Sequence, residues 1–132
     1  MAAGVTTYLA NAWLNTIKSP GTSYNVAASV YAQLHTSAGS PGASAISNVS
    51  SVTTRPSLTF TAATTGVLNS SSSPSWSSWA GTNGEVVRYV SFFDAASASN
   101  GLWWAQLSAD KTINTGDTFT LTSCSLTITI AS

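Results

Sequence analysis

This 132-residue chain contains very little charge: four Lys and Arg, four Asp and Glu, and a formal net charge of zero. Charged residues make up 6% of it, against about a quarter of an ordinary globular domain. Nucleic acid is bound by clustered cations that displace counterions, whereas Lys18, Arg55, Arg88 and Lys111 are scattered, so no nucleic-acid partner is expected. The single cysteine, Cys124, excludes an intramolecular disulfide framework and any metal site built on cysteine pairs. Within TSCSLTITI it reads as a small strand residue. The single histidine, His35, has no second His to pair with and no acid near it in sequence, so no metal, cofactor or general base is assigned to it. No apolar run approaches the about 20 residues of a membrane-spanning helix. The opening stretch MAAGVTTYLANAWLNTIK has no basic start and is interrupted by Asn11 and Asn15, so it does not read as a secretory signal, and no membrane partner is expected.

Serine and threonine stand in for the missing charge, with 24 and 19 residues respectively. Such a surface hydrogen-bonds water but has little electrostatic identity. At 43% hydrophobic the chain has material for a real core, and its length suits one domain spanning 1–132. Neutrality also removes the usual colloidal safeguard against self-association, which points toward an assembled state.

Residues 5–18 carry the one helical period. Val5, Tyr8, Leu9, Ala12 and Trp13 fall on one face with Ile17 at its edge, while Thr7, Asn11, Asn15 and Lys18 fall opposite. Thr6 is a candidate N-cap, and Ser19-Pro20-Gly21 a stop. Alternation then marks strands within 29–36 (SVYAQLHT), 57–62, 64–69, 86–94, 102–108, 118–123 and 125–131. Between them, 37–54 reads as a long surface loop with an extended piece near 46–52, 70–73 as a flexible Ser spacer, and Asp110-Lys111 as a turn. Apolar residues change parity between Phe119/Leu121 and Leu126/Ile128, which calls for a bulge or tight turn near 123–125. Trp76 and Trp79, three apart, would point to opposite faces of an extended chain, one inward and one outward. Short strands at close spacing behind a single helix predict a mainly β fold: an antiparallel, jelly-roll-like β-sandwich with one N-terminal amphipathic helix. Residues 85–130 form its scaffold.

No catalytic constellation emerges. Asp94 starts a loop, Asp110 and Asp117 sit among turn residues, and no nucleophile stands beside a base. The expected sites are therefore protein contacts, with Val5, Leu9, Trp13, Ile17, Ile46, Val49, Trp76 and Trp79 as the candidates. Trp76 and Trp79 in their Ser-rich setting would also suit a sugar-stacking platform.

The segments GVTTYLANAWLN, VYAQLHTSAGSPG and FFDAASASNGLWWAQLSADKTINTGDTFTL resemble a family of short virion proteins of tailed bacteriophages, especially those of actinobacteria. Members are tail-fibre-like or minor capsid (decoration) proteins, and the resemblance spans most of the chain. After His35-Thr36 this sequence has SAGSPGAS where the family form is acidic and richer in glycine, in the loop where partner choice would reside. The resemblance implies a virion structural protein without enzymatic activity or cofactor. It would stabilise the head shell through contacts with its own copies, as a dimer or trimer, and with the major capsid protein. The alternative is a tail-fibre or tail-tip protein that contacts other tail proteins or a host-surface glycan.

Overall fold

A computed structural model describes residues 3–18, 24, 29–38 and 46–129. The fold is mainly β and antiparallel, with one short helix near the N-terminus. Two long strands, β6 (Glu85–Phe93) and β7 (Gly101–Ile113), form a hairpin at its centre. Asp94 closes the connecting loop by accepting from the Asn100 N–H and side-chain amide at 2.9 and 3.0 Å. On the far side of β7 lies β1 (Ala3–Val5), and on the far side of β6 lie β2 (Val30–His35) and then β3 (Ser57–Leu58). Two ribbons complete the β structure: β4 (Val67–Asn69) with β9 (Ser125–Thr127), and β5 (Ser75–Trp76) with β8 (Phe119–Thr120).

Register decides which face of the large sheet is apolar. Cross-strand partners share a face, so Leu34, Val90 and Ala105 align, as do Ala32, Phe92 and Trp103. Phe92 stacks on Trp103 at 4.5 Å, and Phe60 packs on Trp103 at 5.6 Å. From the ribbons, Phe119, Leu121, Cys124 and Leu126 pack against the same cluster. The parity change expected near 123–125 is thus realised by moving from one ribbon to the other. Phe119 pairs with Trp76 on β5, and Leu126 with Leu68 on β4.

Three features differ from the sequence reading, each for a physical reason. Val5 belongs to β1, paired with Trp103, so the helix α1 (Thr7–Lys18) begins two residues later. The expected stop at Ser19-Pro20-Gly21 and the end of the last strand lie outside the described residues. Asp110 and Lys111 are strand residues, because pairing of Val87 with Lys111 extends β7 well past its expected end. The Ser spacer is not loose: Ser72 Oγ accepts from Thr59 N at 2.9 Å across the two arms of a hairpin, and Ser70 Oγ accepts from Cys124 N at 3.0 Å, tying that hairpin to the segment before β9. At its tip Thr65 and Gly66 both have positive φ, 51° and 78°, the geometry of a two-residue hairpin turn.

Thr6 joins helix to sheet. Its Oγ1 accepts from Leu9 N at 3.3 Å, capping α1 as expected. The same hydroxyl lies 2.7 Å from Gly101 O and 2.9 Å from Leu102 O, while Thr6 N donates to Leu102 O at 2.9 Å. Thr6→Ala should cost about 1–2 kcal/mol through loss of the cap and the buried hydroxyl bonds. Chemical denaturation should show that loss for Thr6→Ala and much less of it for Thr6→Ser. Equal stability of Thr6→Ala and the parent would contradict the anchor.

Candidate interaction surface

The helix presents two kinds of apolar side chain. Leu9 is buried, and Tyr8, Ala12, Trp13 and Thr16 are half-buried on the inner face. Leu14 and Ile17 lie on the opposite face, 62% and 77% exposed, among Thr7, Asn11, Asn15 and Lys18. At three residues apart they are neighbours on one helical face. Two large aliphatics so placed lie outside the core and form a candidate contact surface.

A second surface is a groove of about 410 Å³ beside β7. Its floor is apolar, from Val90, Phe92, Ala105, Leu107, Phe119 and Leu121. Its walls are Ser and Thr residues of 120–125 and 108, with Lys111 the only charged group lining it. The register of β6 and β7 shows how it opens. Tyr89 pairs with Gln106 but Val87 with Lys111, so residues 107–110 stand against Arg88 alone. That excess bows β7 away from the regular ladder.

His35, the histidine that the sequence singled out, sits in a structural network. His35 is fully buried; its Nδ1–H donates to Ser47 O at 3.0 Å, and Nε2 accepts from the Ser91 hydroxyl at 2.5 Å. Burial is the main cause of a pKa lowered to about 4, opposed by the Ser47 bond and reinforced by Arg55. Beyond it, residues 47–50 run along the outer edge of β2, with Thr36 N donating to Asn48 O and Ser50 N to Leu34 O. Glu85 clasps this segment through the Ser50 and Ser51 hydroxyls at 2.9 and 2.8 Å. Arg55 lies 3.7 Å over the Phe93 ring and donates to Gln33 Oε1 and Ser99 Oγ. Ser91 is buried beneath the histidine, so the pair offers no nucleophile to a substrate. No group of His, Cys, Asp and Glu able to hold a metal occurs among the described residues.

Of the eight candidate contact residues, four are corrected by burial. Leu9 and Ile46 belong to the interior. Trp76 and Trp79 are both buried, at 4% and 1% exposure, because Ser78 adopts φ 50° and turns the chain between them. Each indole N–H finds a carbonyl, Thr54 O at 2.9 Å and Thr82 O at 3.3 Å, which permits burial without an orphaned donor. Neither tryptophan can serve as a sugar platform. Trp13 is half-buried against the core, while Val5, Ile17 and Val49 are exposed and remain at the surface. The sequence reading missed Leu14, Ile128 and the groove. Leu14 was legible as an apolar residue outside the expected inner face of the helix; the groove was not, since it depends on a bulge.

Residues 4–129 match a protein-family model, Gp80, described as podophage GP4 fiber I protein gp80. No curated protein matches the chain. The match covers nearly the full length and therefore embraces the helix, both long strands and both ribbons. Its description concerns a podophage fiber protein and includes neither a host group nor a capsid role.

Two outcomes test these assignments. Leu9→Ala should destabilise the protein by about 2–5 kcal/mol, whereas Leu14→Ala should change stability by no more than about 0.5 kcal/mol. Similar losses in denaturant titrations of the two variants would contradict the two-faced helix. For His35, the folded state holds the imidazole neutral down to about pH 4, whereas the unfolded chain takes up a proton below about pH 6.5. Stability should therefore fall by roughly 2–4 kcal/mol as pH drops between those values and change no further from this group below them. The slope should disappear in His35→Gln; an unchanged slope there would assign it to other groups.

Proposed function

The chain belongs to the Gp80 family of podophage fiber proteins, and on that footing we propose that it is a structural subunit of a phage tail fibre, joined to its neighbours through the outward face of α1. As a member of that family it is a bacteriophage structural protein, a virion component. The family's description as a fiber protein favours the tail over minor capsid decoration, and it carries the proposal. Leu14 and Ile17 supply the apolar contact, and the near-absence of charge makes that contact insensitive to salt, since screening weakens ion pairs and leaves apolar burial largely intact. The partners proposed are other tail proteins and further copies of the chain. The subunit has no catalytic role in this reading, and a host-glycan platform at Trp76 and Trp79 is withdrawn because both rings lie in the core.

Gold-labelled antibody against the chain, viewed on intact virions by electron microscopy, should decorate the tail and leave the head bare. Label on the head shell would overturn the fibre assignment. In virions produced with Leu14→Asp and Ile17→Asp together, the variant chain should be folded in the lysate but missing from purified particles. Incorporation at the normal level would remove the helix from the contact.

A further inference from the structure

We propose that the groove beside β7 receives the outer edge of β9 from a second copy of this chain, with Ile128 of that copy entering the apolar floor. This contact goes beyond the fibre assignment and is tested apart from it.

Both sides of the groove carry strand edges that no other described strand covers. On its side away from β6, β7 has a strand neighbour only at Trp103, Trp104 and Ala105, so from Leu107 onward that side is unpaired among the described residues. On the opposite wall, Thr120 faces Ser75, while the next residue, Leu121, donates its N–H to Pro74 O at 3.0 Å. Hydrogen-bonded and non-hydrogen-bonded pairs alternate along an antiparallel ladder, so the N–H and C=O of Thr120 point away from β5. The floor between these edges repeats every second residue, with Ala105 and Leu107 on one strand and Phe119 and Leu121 on the other. A floor of that period fits side chains spaced two apart on an extended chain, the geometry of strand addition.

The chain supplies a matching edge. In the β4–β9 ribbon Thr127 faces Val67, and Ile128 N donates to Gly66 O at 2.8 Å. By the same alternation the main-chain groups of Thr127 point outward from the ribbon. Beside them Ile128 is 49% exposed, whereas Leu126, two residues earlier, packs against the core. No residue from Thr118 onward is charged, so an uncharged edge meets a groove whose single charge, Lys111, has nothing to oppose it. An exposed, unpaired edge with an aliphatic knob is the feature that ordinarily drives pairing with another chain. Ser125 at the start of β9 lines the groove wall, but the knob, Ile128, lies outside the groove, so knob and floor are separate on each copy, the contact is heterologous and each copy can both give and receive.

Sedimentation equilibrium of the full chain over a range of concentrations provides the test. Reversible association is expected, weakened at least about tenfold by Ser108→Lys or Thr120→Pro in the groove and by Ile128→Asp on the edge. Circular dichroism should show the parent fold in each; Ser108→Lys, at an exposed position, keeps the groove testable if Thr120→Pro does not fold. Mixing Ser108→Lys with Ile128→Asp should restore association but stop at a dimer, because one copy retains only a knob and the other only a groove. A chain that stays monomeric throughout would overturn the proposal. So would association that survives all three substitutions, or that is lost only with Leu14→Asp and Ile17→Asp.

Discussion

Pairing of β6 with β7 is the contact that every other element leans on. Its register sets Phe92 opposite Trp103 and Val90 opposite Ala105, and a shift of one residue would exchange the buried and outer faces of the whole sheet. Each strand then serves a second neighbour. From β7 come the partners of β1 and the carbonyls of Gly101 and Leu102 that receive Thr6, so the helix is anchored through that strand. From β6 come the partners of β2, including Ser91 beneath His35, so the segment at 47–50 is held by the same ladder at one remove. The ribbons depend on it in another way: Phe60 packs on Trp103 of the Phe92–Trp103 stack, and Phe119 and Leu121 pack against the core cluster to which that stack belongs.

With so few charges, cohesion beyond the core falls to hydroxyls. Arg88–Asp110, at 3.0 Å, is the ion pair found among the described residues, and both side chains are well exposed. Pairs of that kind contribute about 0–1 kcal/mol. Serine and threonine do more by bonding main-chain groups at the irregular places where ladders fail. Ser70 and Ser72 bond the N–H groups of Cys124 and Thr59, and Ser51 Oγ accepts from Thr82 N at 2.8 Å. The Cys124 bond is part-buried and the other two are exposed, so their effect is to fix chain geometry more than to satisfy buried donors. The Ser-rich stretches therefore act as stitching between short strands rather than as slack.

The sequence was informative where local pattern and tertiary demand agree. The alternation of VYAQLHT and EVVRYVSFF located β2 and β6, and Thr6 was recognisable as a cap because the residue type and the apolar period begin together. It was uninformative where a non-local partner decides. Asp110-Lys111 looks like a turn, yet Val87 extends the ladder across it. Strand β5 is two residues long and exists because Phe119 lies opposite Trp76. The two tryptophans show the same limit at the level of a site. Spacing assumed an extended chain, and the left-handed Ser78 sent both rings inward. The helix was legible in its inner face and misread in its outer one, since a reading that seeks one apolar stripe has no place for Leu14.

Three exposed features then need a common account: Leu14 with Ile17, Ile128, and the half-covered groove. In a free, neutral monomer they would be liabilities, because apolar patches and open edges invite aggregation and no net charge opposes it. The charged or proline-bearing guards that usually protect an edge are missing from β9. A protein whose working state is an assembly has a different requirement: its patches must be covered in the right order, not removed. Apolar and main-chain contacts suit that requirement because they are short-ranged and act only once the surfaces meet. Lasting attachment without charge, on a scaffold fixed by one central ladder, is what such a sequence would bring to the proposed fibre.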